Sequence, residues 1–367
     1  MKIIWLNNFK LGKDKEKGEL IGGAEITISK HVEYLTEQGI DVKVMTHFDH
    51  DREEIKKADL VILSNINMDK NPIKGFKVED MDWVINNKDY VTFQHDAQFH
   101  PLRNPYDLKT FNPGITPFWH REMFKKSKLN IFLSPLQLKP HLKFFWKELG
   151  SEKYINANHK EISDWEKDWS NEWEDLINDS VVCIPPVVKK SEMFASEDAR
   201  QEGTYCSIGA IYPGKGVEDI LENYESLGKN LRFIGSRANE RLAIMIEKKG
   251  HTVVPAVDYK EMSKVLQKYQ YMIISRRIKL VDNQGRFVMN EDNKHLYFYM
   301  YEGFGRIIPE ALNCGVNIIV EDDSKEVIGC FSYNWTNEEI MDNCDTADSL
   351  LYNTLKGKNL FKEVVEK

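Results

Sequence analysis

The sequence predicts an α/β chain of two successive units, each a parallel sheet covered by helices on both faces. Three observations point there. Short apolar runs alternate with longer segments of helical period, as strand–helix–strand units do. That rhythm breaks over Lys153–Asp179 and at Pro185-Pro186, then restarts at Tyr205. Glycine-containing turns stand where predicted strands end. The 367 residues are enough for two cores of ordinary size.

In chain order, Lys2 to Leu6 reads as a buried strand, and Asn7 to Leu20 as a polar, Lys/Gly-rich loop. Gly22-Gly23-Ala24-Glu25 opens a helix to about Gln38, with Ala24, Ile28, Val32 and Leu35 as its apolar face and Gly39 as its stop. Strands follow at Val42–Met45, Leu60–Leu63 and Tyr90–Phe93, the last running into Gln94-His95-Asp96. A helix near Trp119–Lys126 leads to a strand at Asn130–Leu133, and Ser134-Pro135 starts a helix towards Leu149. Lys153–Asp179 is acidic, with Trp165, Trp169 and Trp173 spaced to share a helical face, and reads as an added packing helix or, alternatively, a partner or acceptor surface. A strand at Val181–Ile184 closes the first unit.

The second unit opens with a strand at Tyr205–Ile208, a loop at Gly209–Gly216 and a helix at Val217–Leu227. Next come a strand at Leu231–Ile234 with Gly235-Ser236-Arg237, a helix at Asn239–Lys249, and a strand at Val253-Val254 ending at Pro255. A helix at Tyr259–Lys268 and a strand at Tyr271–Ile274 precede a charged, aromatic insertion, Ser275–Met300. Val316–Val320 is a further strand, and the last thirty residues read as helical. Two such repeats are two Rossmann-like domains, expected at residues 1–185 and 186–367, with the C-terminal helix a candidate to cross back. Ligands of these folds bind at the carboxyl ends of strands, so the expected site is a cleft between the two domains.

Composition narrows the function. A net charge of −8 argues against a general nucleic-acid binder. No apolar run reaches the roughly 18 residues of a membrane span, and the N-terminus reads as a strand rather than an export signal, so a cytoplasmic protein is expected. Five cysteines, Cys183, Cys206, Cys314, Cys330 and Cys344, form no C-x-x-C pair and read as reduced thiols, mostly in the core. The ten histidines show no H-x-x-x-H or H-E-x-x-H spacing, so no metal site is expected.

Chemistry concentrates in Tyr301-Glu302-Gly303-Phe304-Gly305-Arg306-Ile307-Ile308-Pro309-Glu310-Ala311-Leu312-Asn313-Cys314-Gly315. Pro309 is compatible with a helix here in its first turn, which places Gly303–Gly305 just before the helix N-terminus. Free N–H groups there suit a phosphate. Glu302 and Glu310 flank that turn; carboxylates repel phosphate and instead accept hydrogen bonds from sugar hydroxyls. A ligand with both features is a nucleotide sugar. The plainer reading is a glycine loop, a core helix and two surface glutamates.

Taken together, Gly22-Gly23-Ala24-Glu25, the loop Gly209-Ala210-Ile211-Tyr212-Pro213-Gly214-Lys215-Gly216, and Glu302 through Gly315 resemble retaining GT-B glycosyltransferases, most closely the large family-4-like set. The resemblance runs in order over nearly the whole chain. It implies the GT-B fold, an acceptor side in the first domain and a donor side in the second. It implies that Glu302 contacts the donor sugar, Glu310 the ribose, the amides of Gly303, Phe304 and Gly305 the distal phosphate, and Lys215 the leaving diphosphate. Gly22 and Gly23 would admit the donor to the first helix, His95 would meet a sugar hydroxyl, Asp96 the acceptor, and Pro255-Ala256-Val257 the nucleobase. No metal or further cofactor is implied beyond a UDP or GDP sugar.

The chain also departs from the family. Ala210 stands where an arginine is usual, leaving Arg237, Arg276, Arg277 or Arg306 to supply that contact; the insertion Ser275–Met300 and the Trp-rich segment are atypical. The expected reaction is hexose transfer to a hydroxyl of a glycan, lipid or modified nucleobase, with retention at the anomeric carbon. The alternatives are a non-catalytic nucleotide-sugar binder and a DNA-base glucosyltransferase of viral type. Lys125, Lys126, Lys128, Lys139, Lys143 and Lys147, with Phe144, Phe145 and Trp146, are ordinary solvated faces, a DNA groove or a contact to an anionic membrane.

Overall fold

The computed structural model describes residues 1–8, 22–66, 75–95, 118–138, 180–196, 199–280, 288–289 and 295–361. Asp96, the Trp-rich segment and Lys139–Lys147 lie outside them. The chain divides into two compact units, Met1–Val187 with Thr346–Lys367, and Val188–Asp345.

The first unit holds a six-stranded parallel sheet in the order β2-β1-β3-β4-β5-β6, formed by β1 (Lys2–Asn7), β2 (Asp41–Met45), β3 (Leu60–Ser64), β4 (Tyr90–Gln94), β5 (Asn130–Phe132) and β6 (Val181–Cys183). Every residue of β3 and β4 is buried. A parallel strand covered on both faces requires this, and it explains their largely apolar make-up. Helices α1 (Gly23–Glu37), α2 (Arg52–Lys56), α3 (Val78–Asn87) and α4 (Phe118–Lys126) lie between strands. The sequence reading passes over α2 and α3. Asp51 caps α2 by accepting from the Glu53 N–H at 2.9 Å, and α3 buries Met81, Val84 and Ile85 at helical spacing.

Helix α1 buries Thr27, Ile28, His31 and Leu35, whereas Ala24 and Val32 of the expected face are half-buried. His31 turns the helix because it is an aromatic filler. Its ring lies 6.2 Å from Trp5 and 5.3 Å from Phe93. The Trp5 indole N–H is satisfied by Ser64 Oγ at 2.7 Å, so the large ring is buried without an orphaned donor.

The second unit holds a five-stranded parallel sheet. It comprises β7 (Tyr205–Ile208), β8 (Leu231–Ile234), β9 (Thr252–Val254), β10 (Tyr271–Ile274) and β13 (Asn317–Val320), in the order β13-β10-β7-β8-β9. Its helices are α5 (Val217–Asn223), α6 (Glu240–Lys248), α7 (Tyr259–Leu266), α8 (Ile307–Asn313), α9 (Asp322–Lys325) and α10 (Asn337–Asp345). Ile220, Leu221, Phe233, Ala243, Ile246 and Ile273 form its core. The expected helix Val217–Leu227 ends at Asn223. Gly228, at φ 50° and ψ −129°, takes a non-helical conformation, and residues Glu225–Asn230 form a tighter 3-10 path.

The insertion Ser275–Met300 contains a two-stranded antiparallel ribbon, β11 (Arg277–Lys279) against β12 (Tyr297–Tyr299), which the sequence reading leaves unassigned. The Met300 N–H donates to the Arg276 carbonyl at 2.9 Å, so the ribbon brings the two ends of the insertion back together. Helix α11 (Ala347–Gly357) belongs to the first unit. It buries Ala347, Leu351 and Leu355, and Tyr352 meets Tyr34 edge-on at 6.2 Å. All five cysteines are free thiols, and four are buried. Burial pushes Cys183 up to about 12 and Cys314 up to about 11, which makes both poor nucleophiles at neutral pH.

Candidate functional site

In an open parallel sheet the ligand crevice lies where successive strands depart to opposite sides. In the second unit that point is between β7 and β10, because β8 and β9 follow on one side of β7 and β10 on the other. The loop after β7 carries Lys215, and the turn after β10 carries Arg276.

The Lys215 loop is fixed by close backbone approach. The Gly209 N–H donates to the Ile234 carbonyl at 3.0 Å and that of Ile211 to Ser236 at 2.9 Å. A Cβ at Gly235 would overlap the Gly209 carbonyl, so the two loops touch where side chains do not fit. Pro213–Lys215 form a single 3-10 turn, and Gly216 leaves it at φ 62° before α5 begins. A Cβ on Gly216 would collide with Ser275. The Lys215 loop is thus packed directly against the residue preceding Arg276.

Glu302 is held from another direction. It bridges to Ile328 in parallel fashion, outside the main sheet, with its N–H on the Val327 carbonyl and its own carbonyl accepting from Gly329, both at 2.9 Å. The Phe304 carbonyl accepts from the Cys330 N–H at 2.9 Å. Segment 327–330 therefore pins the Gly-Phe-Gly turn, and no motif in the sequence marks it. Phe304 is buried and faces Tyr333, so what the turn presents is backbone. Gly305 has φ +86°, which a side chain rarely adopts. Pro309 sits in the first turn of α8, as expected, although α8 is seven residues long.

These elements converge on one carboxylate oxygen. Lys215 Nζ donates to Glu302 Oε2 at 2.6 Å, and Arg276 Nη2 donates to the same oxygen at 2.8 Å. Burial would raise the Glu302 carboxyl, but the charges of Lys215 and Arg276 outweigh it and hold the group at about 2. Glu302 Oε1 makes no hydrogen bond among the described residues. Two cations thus meet on one oxygen of Glu302, and its other oxygen is left as an acceptor.

The other predicted residues occupy different surroundings. Glu310 is buried, and its Oε1 accepts from Arg306 Nε at 2.7 Å; burial raises its carboxyl against the opposing charge of Arg306. Arg306 also reaches the Tyr259 hydroxyl at 2.9 Å. Arg237 forms an exposed ion-pair set with Glu240 and Glu247 on α6, each at 2.8 Å. Arg277 holds Asp323 at 2.7 Å, beside the Tyr299 hydroxyl on the same carboxylate. Ala256 follows β9 and is half-buried.

Gly22, Gly23 and His95 belong to the first unit. Gly22 is the N-cap of α1, and the Glu25 carboxylate folds back over it. His95 is buried, with its N–H on Asn65 Oδ1 at 2.9 Å and its ring 4.8 Å from Phe93. Asn65 takes a left-handed φ of 47° to make this turn at the end of β3.

No protein-family model and no curated protein matches the sequence. Solved structures do match the fold. A sucrose-phosphate synthase from Thermosynechococcus elongatus is similar over 98% of this chain and 91% of its own, at 11% identity and a TM-score of 0.56. The Anabaena protein Alr3699/HepE, solved with UDP and glucose, is similar over 98% and 92%, at 11% identity and a TM-score of 0.51. An alpha-glucosyltransferase, solved with UDP and a 13-mer DNA containing a HMU base, is similar over 98% and 94%, again at 11% identity and a TM-score of 0.51. The chain has the GT-B glycosyltransferase fold.

Proposed function

We propose that this protein is a glycosyltransferase that moves a hexose from a nucleoside-diphosphate sugar to a hydroxyl acceptor, with retention at the anomeric carbon. The observation that carries the reading is the convergence of two cations on one oxygen of Glu302 at the switch point of the second sheet. In the transition state charge builds on the departing diphosphate, where a fixed cation such as Lys215 is effective without reorganisation. Glu302, held through Oε2, offers Oε1 to a sugar hydroxyl. Glu310 is the candidate for the ribose, and the Phe304 and Gly305 amides, which have no protein acceptor among the described contacts, for the distal phosphate. That a solved protein of this fold holds UDP and glucose supports the class of donor. The reaction as proposed needs no metal ion, since the cations are side chains.

The test is a thermal-shift panel of uridine, guanosine, adenosine and cytidine diphosphates and their hexose conjugates. A ligand present at a hundredfold over its Kd adds about 2.7 kcal/mol. The positive donor is then offered to glycan, lipid and hydroxymethylated-DNA acceptors, and the product anomer is read by NMR. No shift with any nucleotide removes the reading; an inverted anomer removes retention alone.

A further inference from the structure

We propose that Arg276 grips an oxyanion of the donor diphosphate beside Lys215, using the edge of its guanidinium that carries Nε and Nη2. This rests on the donor assignment above and gives Arg276 a contact of its own to the diphosphate. Arg276 is 5% exposed and is fixed through its backbone, which donates to Ser324 Oγ at 3.2 Å and accepts from Met300 at 2.9 Å. Two of its three nitrogens are engaged: Nη1 donates to the Ser275 carbonyl at 3.0 Å and Nη2 to Glu302 at 2.8 Å. Its Nε is buried and has no hydrogen-bond partner among the described residues.

Nε–H and Nη2–H lie along one edge of the planar group and point the same way, a fork that suits two oxygens of one carboxylate or phosphate. Glu302 takes only one prong. Leaving a buried charged donor unmade is unfavourable, and a ligand oxygen that fills it recovers that loss. The fork, with the Lys215 ammonium on the same Glu302 oxygen, suits an anionic ligand. The other arginines offered by the sequence are committed: Arg237 to Glu240 and Glu247, Arg277 to Asp323, and Arg306 to Glu310. With no cationic side chain at Ala210, the geometry assigns the second cationic contact to Arg276.

The experiment is calorimetric titration of the full chain with the nucleoside diphosphate that the panel selects and with its parent nucleoside. Failure of the unsubstituted protein to bind any diphosphate is failure of the donor assignment, not of Arg276. Given binding, Arg276→Ala is expected to weaken the diphosphate about 10- to 100-fold while nucleoside affinity holds. Arg276→Lys, a point charge without a fork, recovers part of the loss. Arg276→Gln, of similar reach, serves if the alanine variant does not fold, and Arg241→Ala is the exposed control. A role exerted only through Glu302 is separated by repeating the substitution in Glu302→Ala. A loss that persists in that background supports direct contact. A loss that vanishes there, or an unchanged diphosphate affinity in the single variant, overturns the proposal.

Discussion

Glu302 accepts two charge-assisted hydrogen bonds on one oxygen, and its carboxyl is held at about 2 against an ordinary value of 4.5. A folded-state value below the unfolded one means that the pair contributes stability above about pH 4.5, and that this contribution fades as pH falls through about 2. Glu302→Gln is therefore expected to lose about 1–3 kcal/mol at pH 7. The gap to the parent protein should narrow steadily in urea melts taken from pH 4.5 down to pH 2. A gap independent of pH would mean that the ion pairs add nothing. Lys215 is the cation on which the proposed transfer depends. Lys215→Ala should lower kcat by about 10²- to 10³-fold, the range found when one preorganised oxyanion contact is removed. Steady-state transfer kinetics check this, and a change confined to KM would reassign Lys215 to ground-state binding.

At the scale of elements, the candidate site is a set of loops fixed by close glycine contacts. Gly235 and Gly209 meet backbone to backbone at the ends of β8 and β7. Gly235→Ala forces a methyl group into a carbonyl that has no side chain to yield, and about 2–4 kcal/mol of destabilisation is expected by chemical denaturation. A loss under 0.5 kcal/mol would show that the loop relaxes freely. The glycines and Lys215 were legible as a loop because turn residues cluster between an apolar strand and a helical period. The ribbon β11–β12 was not legible. Its strands are three residues each, too short for an alternating pattern, and they pair across a long connection. That pairing is nevertheless what carries Glu302 back to Arg276, 26 positions away. The same limit applies to α1, whose buried face is set by His31 between Trp5 and Phe93 rather than by the apolar residues that a helical count selects.

Over the whole molecule, each unit owns a parallel sheet, and the chain returns to the first unit through α11. Leu351 is fully buried there. Leu351→Ala is expected to cost the first unit about 2–5 kcal/mol. Calorimetry should show a lowered transition for that unit while the nucleoside-diphosphate affinity proposed for the second unit stays the same. A matching drop in affinity would show that the two are coupled through this helix. The alternation of strands and helices, the restart at Tyr205, the Lys215 loop and the Gly303–Gly305 turn before a helix all come from the sequence by itself, because each is written in neighbouring residues whose period or turn chemistry is local. Tertiary structure alone decided that Lys215 and Arg276 share one oxygen of Glu302, and that segment 327–330 anchors the turn. Partners 26 and 87 positions apart meet through strand order and ribbon closure, which no local pattern records.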